Sequence, residues 1–492
     1  MAVIKQLTPD TTFFIGGETS CVYQHNGGLV LIDGKGRQDC GFDSFKRHLV
    51  ERIGNIPQFR WKLHEVPLGL DLPYWVEDGH FSFDHHIRRI AVPSPGDRVA
   101  LSELVSYLYS KHMDRSRPLW ETWFVEGLAD GQFAVLQKLH HCMMDGEGAT
   151  RLSQIINDFE PDGEPAPVDP SILEARPGPA PTQWQMSWNA ARKLSTLPTR
   201  AGKEIADTVL PGLRKRISRV GSSKTSSRPP VPLAHFNGDI SAHRAFVFGS
   251  LPLADIKAVK NHFEVSVNDV VLALVASTLR DYLLQRGLLP ADSLRAAMAV
   301  SLRVDDDDEF SNKVTSTSVT LATAIADPVG RLEAIAEESN RAKEKARGGG
   351  KGFMEYMQML PPGVVNTMMS LTPPDQSVKM VGSNLLVTSV RGSDRSMYMG
   401  GLRQTAIYPI GILTPGMGIN VTCVSYIDEI DCGITVEPDQ FPDPWPLIDG
   451  LNTALADYLK LCKPKSRPRR RKKTTSTARV KRKKRAVMKK PA

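Results

Sequence analysis

The chain has 492 residues, 41% hydrophobic and 24% charged, which is too long for one ordinary core and suits two or three folded domains. No run approaches the roughly 20 apolar residues that cross a bilayer, and the start "MAVIKQLTPDTTFF" lacks the apolar core of a secretory signal. The six scattered cysteines form no CxxC pair, which argues against a zinc knuckle and points to a reduced, cytoplasmic protein. The net charge of +8 is a property of one end: residues 463–492 carry 16 Lys and Arg and no acid, which leaves residues 1–462 at −8.

In chain order, "GGLVLID" (27–33) reads as a short apolar strand, and "LSELVSYLYSKHM" (101–113) has apolar residues at helical spacing. "QFAVLQKLHH" (132–141) alternates as a strand and "EGATRLSQIINDF" (147–159) reads as a helix, so residues 1–160 form a mixed α/β domain. Seven prolines in residues 160–182 mark a linker. Helical character returns over 183–220, around Trp184 and Trp188, and "GSSKTSSRPPVP" (221–232) is loop again, so 161–235 is a linker with a helical segment. A second α/β domain covers 236–462. Its clearest helix lies in "FEVSVNDVVLALVASTLRDYLLQRG" (263–287), with Asn268 or Asp269 as its cap and Gly287 closing it. Strands follow over 293–303, 313–323 and 418–428, and a helix over 443–462 ends the fold. Residues 463–492 have almost nothing to bury and are expected to be disordered.

Two adjacent histidine pairs stand out. His85 and His86, in "FDHHIRR", have no Asp-Gly after them and are assigned a structural role. His140 and His141, in "AVLQKLHHCMMDGEGA" (134–149), end a strand and are followed by Asp145 and Gly146. Taken alone, such a pair packs or lies on the surface more often than it reacts. A metal site is disfavoured, because neighbours on a strand point to opposite faces and no other ligand cluster lies at the required spacing; no metal is expected. A Ser-His-Asp hydrolase would need a G-x-S-x-G elbow, and the chain has none. A neutral imidazole accepts a proton near pH 7, and Asp145 with Gly146 makes a frame able to orient it. The residues by themselves leave two readings, a structural pair and a base at a strand end. Two decoys fall away: "RGGGKG" (347–352) has no Ser or Thr after its lysine and is not a phosphate loop, and "DDDDE" (305–309) reads as a solvated loop.

The stretch "HHCMMDG" (140–146) resembles the HHxxxDG signature of CoA-dependent acyltransferases, and among their branches the bacterial wax ester synthase/diacylglycerol acyltransferase family. Further stretches fit that family in order: "LTPDTTFF" (7–14), the Pro-Leu-Trp of Pro118, Leu119 and Trp120, "FN" (236–237), and Asn268-Asp269 in "VNDVVLA". "VSLR" (300–303), Ser383-Asn384, "YPIG" (408–411) and "VSYIDEIDCGIT" (424–435) complete the set over about residues 5–462. Two places depart from the pattern. "SNLLVTSVRG" (383–392) has no Pro-Gly turn after Ser383-Asn384, and Ser311-Asn312 stands where Gly-Asn is expected, which puts substrate preference in question more than chemistry.

The resemblance implies two chloramphenicol-acetyltransferase-like α/β domains with a channel between them, and transfer of a fatty acyl group from acyl-CoA, a substrate rather than a cofactor, to a hydroxyl. The acceptor is a long-chain alcohol, giving a wax ester, or diacylglycerol, giving triacylglycerol. By the same resemblance His141 is the general base; His140 beside it is expected to act through packing or orientation, and Asn268, whose amide approaches the channel from the second domain, is taken as the oxyanion donor. Asp145 braces the loop through a salt bridge to a buried Arg. Gly146, Asp269, Ser383 and Asn384 are assigned to substrate contacts, and Pro118, Leu119 and Trp120 to packing beneath the site. Two rivals remain: a condensation-type enzyme using carrier-bound substrates, and a non-catalytic adaptor acting through the basic tail. For the tail, an anionic membrane or lipid-droplet surface at the inner membrane face is the expected partner, with nucleic acid as the competing one.

Overall fold

The computed structural model describes residues 5–34, 41–54, 56–143, 152–153, 155–161, 163, 181–195, 231–301, 314–347 and 361–462. The first half runs β1 (Lys5–Gln6), α1 (Pro9–Gly16), β2 (His25–Ile32), α2 (Phe42–Ile53), β3 (Trp61–His64), β4 (Tyr74–Glu77), α3 (Phe83–His86), β5 (Ile87–Ala91), α4 (Arg98–Tyr109), β6 (Trp120–Glu126), β7 (Phe133–His140) and α5 (Gln183–Ser195). The second runs β8 (Ala245–Pro252), α6 (Leu253–Phe263), α7 (Val267–Gln285), β9 (Arg295–Ser301), β10 (Val314–Thr320), α8 (Pro328–Arg347), α9 (Pro362–Leu371), α10 (Pro374–Val381), β11 (Leu385–Arg391), β12 (Tyr398–Met399), β13 (Leu402–Ile410), β14 (Ile419–Tyr426), β15 (Glu429–Val436) and α11 (Trp445–Cys462). The elements expected over 27–33, 101–113, 132–141, 293–303, 313–323, 418–428 and 443–462 are β2, α4, β7, β9, β10, β14 and α11. Of the helix expected over 147–159, residues 147–151 and 154 fall outside the described residues, as do Asp145, Gly146, residues 196–230, the acidic run and the tail.

Two six-stranded sheets organise the chain, in the orders β12-β13-β2-β7-β6-β5 and β10-β9-β11-β14-β15-β8, with a small sheet β1-β4-β3 beside the first. Residues 398–410, expected inside the second domain, belong to the first sheet: β13 pairs antiparallel with β2, Ile407 opposite Val30 and Tyr408 opposite Leu29. Alternation along the first sheet explains its layers. Leu29, Val125, Ala134 and Leu136 face α4 on one side, while Val30, Phe124 and Val135 face α2 on the other.

The second half is built around α7, buried all round from Asp269 to Leu279 and packed by α6, α8 and α11, as a helix apolar on every face requires. Its cap is neither Asn268 nor Asp269. Ser266, in extended backbone, takes that place: its Oγ accepts from Asp269 N–H at 3.2 Å, and Asp269 Oδ2 accepts from Ser266 N–H at 3.0 Å. Gly287 closes the helix at φ +66°, as expected. Among the described residues no single helix is long and apolar enough to cross a membrane.

The halves are joined a second time at α4. Ser102, Ser106 and Ser110 recur at i, i+4 on one face of this helix and its cap. Ser102 Oγ donates to Phe246 O, while Phe246 N–H and Arg244 N–H each donate at 2.9 Å, to Ser106 Oγ and Ser110 Oγ. The ladder satisfies backbone of β8, which would otherwise be a free sheet edge.

Candidate active site

β7 delivers the histidine pair at its end. His140 N–H donates to Leu119 O at 3.0 Å and His141 N–H to Gln24 O at 2.9 Å, so the flanking chains hold both residues in place. The two rings enter different surroundings, as the alternation of a strand predicts.

The His140 ring is buried. Its Nδ1 accepts from Cys142 N–H at 3.1 Å, and its Nε2 lies 3.6 Å from Glu18 Oε2. Glu18 is itself buried and takes two bonds from Arg115, at 3.0 and 2.6 Å. Burial alone would raise the Glu18 carboxyl, but His140 and Arg115 outweigh it and hold the group at about 2. Arg115 continues to Glu65 at 2.9 Å. A carboxylate–arginine pair thus stands behind the first histidine.

The His141 ring is only partly buried. Phe14 of α1 stacks on it with centroids 4.4 Å apart and planes 13° apart. Asn26 of β2 brings its carboxamide to 3.3 Å from Nδ1. Burial, with a smaller push from His140, lowers the ring to about 4, so it is neutral at pH 7. Both histidines border a cavity of about 270 Å³ between the first sheet and α2. Its walls are mostly apolar, with Val30, Leu49, Ile53, Phe59 and Trp120 among them. Buried Gln404, from the borrowed strand β13, donates to Asn157, and both border the cavity too.

Sequence-assigned residues separate accordingly. His140 and His141 meet at the cavity, and Trp120 forms part of its wall, its Nε1 donating to Phe59 O at 2.9 Å. Leu119 is buried with Cys142 and Leu63 in a neighbouring apolar cluster. Asn268 lies at the start of α7, its amide 3.5 Å from Met298 Sδ, and does not border this cavity. Asp269 is committed to the helix cap, with Lys343 at 3.8 Å. Asn384 is fully buried and ties three chain segments together: its Oδ1 accepts from Arg295 N–H at 2.9 Å, and its Nδ2 donates to Asn237 Oδ1 at 2.8 Å and to Pro232 O. Ser383 is buried beside it. Among the described residues no three His, Cys, Asp or Glu converge as metal ligands.

Sequence reasoning passed over Glu18, Asn26 and Phe14. Phe14 ends the quoted "LTPDTTFF" and Arg115 lies in the segment before Pro118, so two signals lay close by; nothing local marks Glu18 or Asn26.

Known proteins resemble this chain along most of its length. The model of the wax ester synthase/diacylglycerol acyltransferase catalytic domain matches residues 7–271, and that of the WS/DGAT C-terminal domain matches residues 310–458. A putative diacylglycerol O-acyltransferase of Mycobacterium tuberculosis is 32% identical over 423 residues, covering 85% of this chain and 82% of that protein. A probable diacylglycerol O-acyltransferase of the same species is 31% identical over 453 residues, covering 90% and 93%. The solved wax ester synthase/diacylglycerol acyltransferase from Marinobacter aquaeolei VT8 matches with a TM-score of 0.68 at 27% identity, over 93% of this chain and 99% of that one. The first condensation domain of the calcium-dependent antibiotic synthetase shares the fold, with a TM-score of 0.55 at 13% identity over 94% and 96%.

Proposed function

The chain belongs to the wax ester synthase/diacylglycerol acyltransferase family and is an acyl-CoA-dependent O-acyltransferase, and from that premise we propose that His141 is its general base. The observation that carries this is a neutral, partly accessible imidazole, stacked on Phe14, at the edge of an apolar cavity. The acceptor hydroxyl gives its proton to His141 Nε2 as its oxygen bonds to the thioester carbonyl carbon. The tetrahedral intermediate collapses with loss of the C–S bond. The imidazolium returns the proton to the departing CoA sulfur, leaving ester and CoA-SH. Asn268, expected as the oxyanion donor, lies outside this cavity with its amide against the weakly accepting thioether of Met298. His140 orients the strand end through Glu18 and Arg115 rather than moving protons.

Diacylglycerol is the acceptor we assign first, because the relatives at 30–32% identity are named for it; a long-chain alcohol is the second, from the name of the Marinobacter enzyme. The carrier-bound reading rests on likeness of fold alone. Purified protein with palmitoyl-CoA and either dipalmitoylglycerol or hexadecanol tests the assignment through CoA release and the lipid product. Triacylglycerol formed at the higher rate is the expected result, and wax ester dominating would reverse it.

The basic residues 463–492 are proposed to hold the enzyme at an anionic lipid surface on the cytoplasmic side, at about 1 kcal/mol per Lys or Arg near that surface. Deleting them should sharply reduce sedimentation with anionic vesicles and leave turnover on detergent-dispersed acceptor intact. Full vesicle binding without the tail, or salt-sensitive retention on DNA with no vesicle effect, would replace the lipid surface with another partner.

A further inference from the structure

We propose that Asn26 is a positioning residue for the reaction, holding the His141 ring in the orientation and tautomer that leave Nε2 free to take the acceptor's proton. The inference rests on the reading of His141 as base.

The geometry begins with the sheet. Asn26 lies opposite Leu139 in the β2–β7 ladder, and His141 N–H bonds the carbonyl of Gln24, two residues before Asn26 and just ahead of β2. Asn26 and His141 are therefore diagonal neighbours on one face, the spacing at which side chains still meet. That face borders the cavity, with Asn26, Gly28 and Val30 along it. A carboxamide among apolar wall residues needs a partner, and among the described residues its hydrogen bond is to His141 Nδ1 at 3.3 Å.

Phe14 and Asn26 do different work. A stacked phenyl ring fixes the plane of the imidazole, yet a half-turn about the Cβ–Cγ bond returns the ring to that plane with the stacking unchanged while exchanging Nδ1 with a carbon. Only a directional partner at Nδ1 removes that freedom. Asn26 supplies it, and from a strand rather than a loop. The carboxamide presents Nδ2, and a half-turn about its last torsion presents Oδ1 at the same place. With Oδ1 inward, Nδ1 carries the hydrogen and Nε2 keeps its lone pair, the state a base requires.

Among the described residues, the charged and titratable groups near the ring come from β7 and from the Glu18–Arg115 pair behind it. His140 adjoins it on β7, with Glu18 and Arg115 behind, and Lys138 lies two residues before that on the same strand. Lys138 Nζ is turned to the carbonyls of Leu108 and Lys111, at 3.0 and 2.9 Å, and to Glu121 at 3.7 Å. Among the described residues burial and His140 are what act on His141, so its acid limb should lie low, near the ring's value of about 4.

The test compares the full-length protein with Asn26→Leu, Asn26→Asp and His141→Ala, reading kcat and KM for palmitoyl-CoA and the pH dependence of kcat/KM, with a thermal melt for each. Asn26→Leu keeps the volume and removes the directional partner; kcat should fall roughly 10²-fold, the cost of a misplaced group, with KM little changed. Asn26→Asp keeps the shape and adds charge; it should restore more turnover than Leu and raise the acid limb by about 1–3 pH units. A residue that only packs would give neither the rescue nor the displaced limb. If His141→Ala loses turnover while both Asn26 variants keep wild-type kcat and acid limb, Asn26 has no positioning role. If His141→Ala turns over near-normally, the base assignment fails first. Should Asn26→Asp not fold, Asn26→Leu with unchanged kcat suffices to overturn the proposal.

Discussion

The chain contains two adjacent histidine pairs, and the structure treats them differently. His86 is sandwiched between Phe81 and Trp120, with centroids at 5.2 and 4.6 Å, and its Nδ1 meets Trp120 O at 2.8 Å. Among the described residues His141 has an aromatic ring on one side, and its Nδ1 meets a side-chain amide. Burial lowers both rings, so protonation state does not separate them. Access does. Trp120 joins the two pairs, packing on His86 while forming part of the cavity wall at His141. His86 backs a wall residue, and the other pair borders the space inside.

The largest test of that contrast is His141→Ala, expected to cost about 10²–10⁴-fold in turnover with the melt nearly unchanged. Near-normal turnover would make the two pairs alike. Glu18→Gln comes next. It takes one of two carboxylates from Arg115, which is about one-third exposed and keeps Glu65, so the loss should fall below the roughly 3–5 kcal/mol of a fully broken buried pair. The Glu18 contribution has a definite sign: its folded value of about 2 lies below the ordinary 4.5, so its stabilisation is complete above about pH 4.5 and disappears as pH falls through about 2. Denaturation curves for wild type and variant should converge at the acid end, and a constant gap there would contradict the linkage. Gly28→Leu sharpens the role of the cavity. A Cβ at Gly28 meets nothing within 4 Å, so the new side chain enters open space beside the wall. Octanoyl-CoA should gain on palmitoyl-CoA by roughly 10–200-fold in relative kcat/KM, the range expected for altered apolar pockets; an unaltered ratio would mean the acyl chain runs elsewhere. Smallest on rate is His86→Ala, expected within about twofold of wild-type turnover while lowering the melt through the buried carbonyl it leaves unpaired, about 1–3 kcal/mol.

Local patterns read well in this sequence. β2, β7 and α4 show their period directly, and α11 does so across its eighteen residues. The order of short motifs pointed to the reaction and to His141. Pairings between distant segments did not read. Nothing in "LRQTAIYPI" tells that β13 joins β2 rather than its own neighbours, because an alternating strand fits any sheet with an apolar face. The cap of α7 is two residues earlier than Asn268, since Ser266 sits where the chain is still extended and takes the first-turn amides. Asn384 looked like a substrate contact because it lies in a motif; fully buried, it is a cross-link. Glu18 and Asn26 acquire their roles only when α1, β2 and β7 come together.

The borrowed strand has a consequence for biosynthesis. β2 is complete when residue 32 leaves the ribosome, but its partner on one edge ends at Ile410. At roughly 5–20 residues per second, that edge waits some 20–75 s with its amides and carbonyls unpaired. During the wait the nascent first half exposes the row of hydrogen-bonding groups that another growing chain could occupy. Slower translation of the intervening residues would lengthen the vulnerable interval, so the yield of soluble protein should respond to elongation rate and to chaperone supply more than its final stability suggests.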